Sequence, residues 1–200
     1  MPLKLQYNKT ALQQIEKQLK MRLRALPTLK SKESALRVEV KKAKDEMSRL
    51  EEMLKARMEA RKEMVSLWVE YNGDLLKVED VKFSRKKIAG VNTPLLEDVV
   101  FDMKDFSLFN APAWLPDGIN IMKELAKLSI ERDFYKAKMD ILNYARKKTT
   151  QKVNLYEKVQ IPEFENGIRK IKRFLEDEDN LSKSSQKIVK KKQEMEASEQ

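Results

Sequence analysis

The sequence predicts a mainly α-helical fold, in which two long helices form an antiparallel coiled coil and a small β-hairpin or irregular segment occupies the middle of the chain. Apolar residues recur at alternating steps of three and four towards both ends of the chain, which is the pattern of a coiled-coil seam. Charged residues make up 37% of the 200 residues, and only four residues are glycine. Short apolar runs separated by Gly90 and Pro94 predict the strands.

The first helix is expected over residues 1–72. Its seam, meaning the a and d positions that face the partner helix, is apolar at 14 of 18 positions. These positions are Leu12, Ile15, Leu19, Arg22, Leu26, Leu29, Glu33, Leu36, Val40, Ala43, Met47, Leu50, Leu54, Arg57, Arg61, Met64, Trp68 and Tyr71. A helix of about 60 residues would be roughly 90 Å long, too long for a small globular domain to enclose. Asn72 and Gly73 supply the expected helix end, because glycine is common just past a C-terminus.

The middle segment, residues 73–117, is expected to contain short β-strands. Alternating apolar residues such as Val81 and Phe83 favour strands over helix. Turns are expected at residues 84–87 and 92–95. Such a hairpin is marginal alone, so we expect it to pack on the helix ends near Trp68 and Trp114 or on a partner.

The second helix is expected over residues 118–181, with Asp117 as a candidate N-cap. Its seam occupies Ile121, Leu125, Leu128, Arg132, Tyr135, Met139, Leu142, Arg146, Thr149, Val153 and Tyr156, and then Ile161, Phe164, Ile168, Ile171 and Leu175. Steps of four from Val153 to Glu157 and on to Ile161 break the heptad phase, and such a stutter locally unwinds a supercoil.

Pro27 and Pro162 both lie inside predicted helices, where proline usually causes a kink. If the chain folds back between Tyr71 and Gly118, residues at equal height have numbers that sum to 189, and the two prolines share one height. A shared local bend would then cost less than a break in one helix alone. Coincidence is the alternative interpretation.

Residues 182–200 are predicted to form a flexible basic tail, because this stretch is poor in apolar residues. Its lysines between Lys187 and Lys192 could touch nucleic acid or anionic lipid, although a solvated tail is the favoured interpretation. The acidic run from Glu176 to Asp179 is likewise interpreted as a solvated helix face rather than a cation site. No cofactor and no metal is expected.

Charge and composition exclude several classes of protein. The chain carries 42 Lys and Arg against 32 Asp and Glu, and it contains neither cysteine nor histidine. A disulfide framework is therefore excluded, and the commonest general base is missing. No phosphate-binding glycine loop or nucleophile motif occurs, so we expect a non-catalytic protein. No apolar run suggests a signal peptide or a membrane span, which makes a cytoplasmic location the expectation.

The positive charge lies on the helices rather than on the middle segment. Residues 1–62 hold 17 Lys and Arg against 8 Asp and Glu, whereas residues 71–118 hold 6 against 8. Arginines also occupy five seam positions: Arg22, Arg57, Arg61, Arg132 and Arg146. Because charge at a and d weakens a two-helix coil, these side chains either contact a third surface, pair across the seam, or extend to water.

Two general functions fit these features without reference to any family. One is a stand-alone coiled-coil scaffold, which predicts self-association. The other is a basic helical hairpin that binds nucleic acid, which predicts strongly salt-dependent binding. The lack of aromatic residues interleaved with the basic ones speaks against the second.

Three segments resemble the D subunit of the V-type and A-type rotary ATPases. The most specific is "KVNLYEKVQIPEFENGIRKIKRFLEDED", which meets the family pattern at Val153, Asn154, Glu157, Ile161, Pro162, Glu165, Ile168, Ile171, Leu175 and Glu176. Near the N-terminus, "TLKSKESAL" is similar to a family segment through Leu29, Lys30, Lys32 and Leu36. In the middle, "KKIAGVNTP" matches at Gly90, Val91 and Pro94 and departs at Lys87.

The resemblance implies a non-catalytic central-stalk rotor shaft that couples ATP hydrolysis or synthesis to rotation and to ion transport, H⁺ or Na⁺. Its paired helices would enter the hexameric ring of catalytic and regulatory subunits. Its middle segment would contact the small central-stalk F subunit and the socket subunit above the membrane rotor ring, and Gly90, Val91 and Pro94 are the expected contact residues. The resemblance implies a cytoplasmic, membrane-peripheral protein with no nucleic acid partner and no direct membrane insertion.

Overall fold

A computed structural model describes residues 5–62, 75–105 and 111–198. In chain order it contains α1 (Lys9–Ala60), β1 (Leu76–Ile88), β2 (Val91–Met103), α2 (Leu115–Asn154), a π-helical segment (Leu155–Gln160) and α3 (Ile161–Ser198). This mainly helical fold with a two-stranded antiparallel hairpin confirms the predicted fold class. The expected end of the first helix at Asn72 and Gly73, with Met64, Trp68 and Tyr71, lies outside the described residues.

The start of α1 follows from a local hydrogen bond rather than from the beginning of the chain. Asn8 caps the helix, since the backbone N–H of Ala11 donates to the Asn8 side-chain oxygen at 2.7 Å. The helix therefore begins at Lys9, eight residues later than the predicted boundary at residue 1.

The chain divides into two units, a terminal unit of residues 1–31 and 149–200 and a central unit of residues 32–148. The core of the terminal unit is formed by Ile15, Phe164 and Ile171. The half-buried residues around it are Leu5, Leu12, Leu19, Ile168 and Leu175. Gly167 lets the Leu5 side chain approach closely, because a Cβ on this glycine would lie 3.0 Å from Leu5 Cδ2.

The helices pack antiparallel within each unit. In the terminal unit, Glu16 pairs with Lys172 at 3.0 Å and Lys30 pairs with Glu157 at 2.7 Å. In the central unit, Arg57 pairs with Glu124, while Ala43, Glu46 and Tyr135 line one shared surface depression. Every predicted seam position among the described residues of α1, α2 and α3 is buried or half-buried.

The hairpin of the central unit is longer and simpler than predicted. One two-residue turn at Ala89 and Gly90 connects two strands of 13 residues each. The predicted turns at residues 84–87 and 92–95 are wrong, because both stretches lie inside paired strands. Asparagine and proline are common in turns, which is why Asn92 and Pro94 suggested one. Proline is nevertheless tolerated at an edge strand, and both strands of a two-stranded sheet are edges.

The second helical region also differs from its predicted boundaries. Helix α2 begins at Leu115, so the prediction of Asp117 as its N-cap is wrong. Asp117 lies in the first turn, where its negative charge interacts favourably with the positive end of the helix dipole. After Leu181, where the second helix was expected to end, the backbone remains helical to Ser198. Residues 182–198 contain neither glycine nor proline, and Lys190 and Glu194 form an i,i+4 pair at 3.8 Å. The flexibility of this tail stays a prediction.

Candidate functional site

The π-helical segment lies where the sequence breaks its heptad phase. The N–H that follows the segment, at Ile161, donates to the carbonyl of Tyr156, five residues back instead of four. A π turn accommodates one extra residue in an α-helix. The seam changes phase by one residue here, so that Tyr156 and Gln160 are both half-buried before Ile161 resumes the heptad.

Arg22 of α1 fills the seam opposite this extra residue. Its Nε donates to the Gln160 side-chain oxygen at 2.6 Å, and its guanidinium lies 4.5 Å from the centre of the Phe164 ring. The Tyr156 ring centre lies 5.8 Å away from the same guanidinium. A planar, always charged guanidinium can use two aromatic rings and one amide at once. Arg22 therefore pairs across the seam instead of extending to water.

The C-terminal motif residues flank the π segment on both sides. Asn154 is the last residue of α2, Glu157 lies in the segment, and Ile161 and Pro162 open α3. Proline is well tolerated in the first turn of a helix. Lys30 binds Glu157 at 2.7 Å, so two separate family-like motifs meet at this point. Both side chains are about half exposed, and such a pair contributes less than about 1 kcal/mol.

The two prolines lie at comparable heights along the terminal unit. The Lys30–Glu157 pair lies on one side of them, and the Arg22–Phe164 contact lies on the other. Both Pro27 and Pro162 are exposed. A shared bend at this height stays a prediction.

The remaining motif residues divide between core and surface. The side chains of Val153, Ile161 and Ile171 are buried, and Leu36 is fully buried in the central unit. The half-buried seam members are Leu29, Ile168 and Leu175, and the exposed motif residues are Glu165 and Glu176. The buried members stabilise the helix pairs, and the exposed ones are available to a partner.

The middle motif meets the N-terminal motif at the hairpin turn. Both turn residues have positive φ, 48° at Ala89 and 78° at Gly90, as a type I′ hairpin turn requires. A Cβ on Gly90 would lie 3.5 Å from the Lys32 Nζ, so the turn lies beside α1. Pro94 and Val91 are both half-buried near the turn.

Thr93 anchors the hairpin near its turn. Its side chain is 1% exposed, and its hydroxyl donates to the carbonyl of Lys86 at 2.9 Å. A satisfied buried hydroxyl of this kind fixes the two strands against each other. Thr93 was not predicted from the sequence. The one feature that could have indicated it is that threonine is β-branched and therefore favours strands, although it lies in a stretch that was predicted to be a turn.

Contacts along α2 position the rest of the hairpin. The Phe83 and Phe134 rings lie 6.0 Å apart, and Lys127 approaches Asp98 at 3.9 Å. A cavity of about 170 Å³ lies between these elements and is lined in part by Phe134 and Tyr135.

The phenol of Tyr135 lies in a setting that disfavours its charged form. Burial raises the pKa of Tyr135, and the carboxylates of Glu46 and Glu131 raise it further. The side chain therefore stays neutral and packs half-buried in the seam.

The other seam arginines also bind within the chain. Arg57 and Arg61 both pair with Glu124 across the seam. Arg132 binds the Asp133 carboxylate at 2.7 Å, and Arg146 binds the Asn143 side chain at 3.0 Å. Glu124 was missed from the sequence, because the sum of 189 places residues 132 and 128 opposite Arg57 and Arg61, eight and four residues beyond Glu124.

The described residues form packed helices and a two-stranded hairpin. Among them no cluster of three or more carboxylates could hold a metal ion. None of the described helices has a stretch long and apolar enough to cross a bilayer. What the arrangement provides is paired helices in each unit, with a well-anchored hairpin beside those of the central unit.

Comparison with known proteins decides the family. The model of the ATP synthase D subunit family matches residues 11–191. This chain belongs to that family. The D subunit of the V-type ATP synthase of Borreliella burgdorferi is 31% identical over 195 residues, which cover 94% of each chain. The D subunit of the V-type ATP synthase of Chlamydia felis is 30% identical over 175 residues, covering 84% of this chain and 83% of the relative.

Family membership gives the motif residues a common context. One family match spans the N-terminal, middle and C-terminal motifs. The relatives are named as one subunit of a V-type ATP synthase, so the chain is a subunit of a multi-subunit ATPase complex.

Proposed function

We propose that this D subunit is the non-catalytic central rotor shaft of a V-type ATPase. It couples ATP hydrolysis or synthesis in the catalytic hexamer to rotation of the membrane rotor ring and to transport of H⁺ or Na⁺. The observation that carries the proposal is the antiparallel pairing of helices in both units, in which every described seam position is buried or half-buried.

The pairing suits a shaft because torque requires stiffness. Each helix of a packed pair resists bending and twisting through the side chains of the other, whereas a flexible linker would dissipate the rotation. Coupling also requires the shaft to contact the catalytic sites unequally, because a body that binds all conformations equally shifts none of them. The hairpin on one side of the helices supplies such an asymmetry in the central unit.

The partners follow from this role. The paired helices would lie within the ring of catalytic and regulatory subunits. The hairpin end would bind the small central-stalk F subunit and the socket subunit above the rotor ring. The protein would be a cytoplasmic, peripheral part of the complex and would need no cofactor of its own.

Direct observation of rotation tests the proposal. The chain contains no cysteine, so Asp102→Cys provides a single thiol on an exposed position of β2. The assembled complex is immobilised through its hexamer, and a bead is attached to this thiol. We expect the bead to turn in one direction when ATP is added, and a bead on a cysteine of a ring subunit to stay still.

Other outcomes would identify the alternatives. A stationary bead on an active, assembled complex would show that the chain belongs to the stator. Self-association without binding to the hexamer would indicate a scaffold, and steeply salt-dependent binding to DNA or RNA would indicate a nucleic-acid-binding protein.

A further inference from the structure

The hairpin separates its charges between its two ends. The hairpin tip, defined as residues 82–94, contains four Lys and Arg residues and no Asp or Glu. The rest of the two strands, residues 76–81 and 95–103, contains one lysine and five carboxylates, a net charge of −4. If these charged residues served only solubility, positive and negative side chains would be expected to alternate along the hairpin instead of being grouped by sign.

The four cations of the tip are free to bind another surface. Lys82, Arg85, Lys86 and Lys87 are all exposed. No ion pair joins any of them to a carboxylate within the described part of the chain. Some exposed cations of α1 do pair, as Arg37 does with Glu33 at 3.0 Å. Lys32 adds a fifth cation beside the turn at Gly90.

The backbone of the tip is held in one conformation. The turn residues occupy the positive-φ region that a tight hairpin needs, and buried Thr93 ties β2 to the carbonyl of Lys86. A segment whose backbone is already fixed loses less conformational entropy on binding than a loose loop does. The basic residues are therefore arranged for recognition rather than scattered.

The spacing favours an extended acidic protein surface over a small anion. Residues 82–87 span about 17 Å along an extended strand, so their charges do not converge on one phosphate. The one aromatic residue of the tip, Phe83, lies with its ring 6.0 Å from the Phe134 ring of α2, so the tip offers no series of aromatic rings on which successive bases could stack. Ile88 and Val91 are half-buried, which leaves little apolar surface to insert into a membrane.

We infer that the hairpin tip is a docking surface for an acidic protein surface elsewhere in the ATPase complex. This inference rests on the proposed function, because it requires the chain to assemble with other subunits. Complementary charge on a rim contact chiefly controls encounter rate, register and salt dependence. The contact would thus help to set how the shaft is oriented against its surroundings.

Site-directed cross-linking in the assembled complex tests the inference. Asn92→Cys places the only thiol of the chain at an exposed position that pairs with Lys87 in the hairpin. A photoactivated benzophenone maleimide is attached, and cross-linked peptides are identified by mass spectrometry. We expect cross-links to an acid-rich segment of another subunit, with a yield that falls as salt rises from about 50 mM to about 300 mM.

Charge reversal supplies the matched comparison. In the variant K82E/R85E/K86E/K87E we expect the cross-link yield to fall about tenfold, since four rim contacts are lost and repulsion replaces them. The control K183E/K187E/K191E/K192E makes the same change in net charge on the exposed end of α3 and should keep the yield. A neutral variant, K82Q/R85Q/K86Q/K87Q, should give an intermediate yield. Because it removes the positive charges without adding negative ones, it separates the loss of attraction from misfolding of the reversed variant.

The outcomes separate this inference from the proposed function. If the chain does not co-purify with the hexamer, the proposed function fails and the tip contact fails with it. If the chain assembles but the cross-links are insensitive to salt and to tip reversal, or reach only neutral or basic segments, the tip inference alone is overturned.

Discussion

Leu142 in α2 and Leu181 in α3 are the same residue type in opposite surroundings. Leu142 is 0% exposed, whereas Leu181 is 70% exposed. We expect Leu142→Ala to lower the free energy of unfolding by about 2–5 kcal/mol through lost burial and a cavity. Leu181→Ala should change it by less than about 0.5 kcal/mol. Urea unfolding followed by circular dichroism measures both, and equal losses would contradict the assigned seam.

Individual seam residues were predictable because burial on a helix follows a simple period. Leu36, Leu142 and Ile171 are fully buried, and all three were assigned to the seam from spacing alone. The partners of Arg22 were not predictable. Gln160 reaches Arg22 only because the π turn brings one further residue into the seam, and a regular period does not reveal which residue is the extra one.

The hairpin turn shows the same limit at the scale of an element. Ala89 adopts a φ of 48°, a conformation that costs an alanine about 1–2 kcal/mol and that a sequence pattern would not assign to it. Asn92 and Pro94 carried the stronger turn signal, which placed two turns where the strands are continuous. The length of the hairpin was therefore underestimated, although its existence was predicted.

The strain at Ala89 leads to a prediction about the turn. Ala89→Asn should stabilise the protein by about 0.5–1 kcal/mol, because asparagine tolerates positive φ and Asn-Gly is the preferred type I′ pair. Ala89→Val should destabilise it, since a β-branched residue is disfavoured in this conformation. The melting temperatures of both variants, compared with that of the parent protein, provide the measurement. A loss of stability in Ala89→Asn would contradict the turn geometry.

The π segment leads to a prediction about helix phase. Val159 is exposed within the segment, and deleting it would leave the steps from Val153 to Tyr156, Ile161 and Phe164 as three, four and three. The two halves of the seam would then follow one heptad phase. We expect this deletion to leave the free energy of unfolding within about 1 kcal/mol of that of the parent, because it removes an exposed side chain and the helix no longer has to accommodate one residue too many.

A second deletion controls for the shortening itself. Removing exposed Lys170 from α3 leaves the π segment intact but rotates fully buried Ile171 away from the core. Loss of this side chain from the core should lower the free energy of unfolding by about 2–5 kcal/mol. Circular dichroism at a helix-sensitive wavelength during heating measures both variants. Equal destabilisation by the two deletions would show that the π segment does not account for the change of phase.

At the scale of the whole molecule, charge is distributed unevenly along the chain. Residues 1–62 hold a net charge of +9, whereas residues 71–118 hold −2. Net charge of this kind governs association more than it governs fold. Under the proposed function, the first helix is the part of the shaft that the hexamer surrounds, and we expect the surrounding surface to be acidic.

Reversal of three exposed lysines in α1 tests this expectation. Lys41, Lys42 and Lys44 are all exposed, so K41E/K42E/K44E should spare the seam while replacing attraction by repulsion. We expect weaker co-purification with the hexamer and slower coupled ATP turnover, with the defect deepest at low salt, where charges are least screened. The variant K183E/K187E/K191E changes net charge equally on the end of α3 and should assemble normally. Unchanged assembly and turnover in K41E/K42E/K44E would show that the positive charge of α1 faces water rather than an acidic surface.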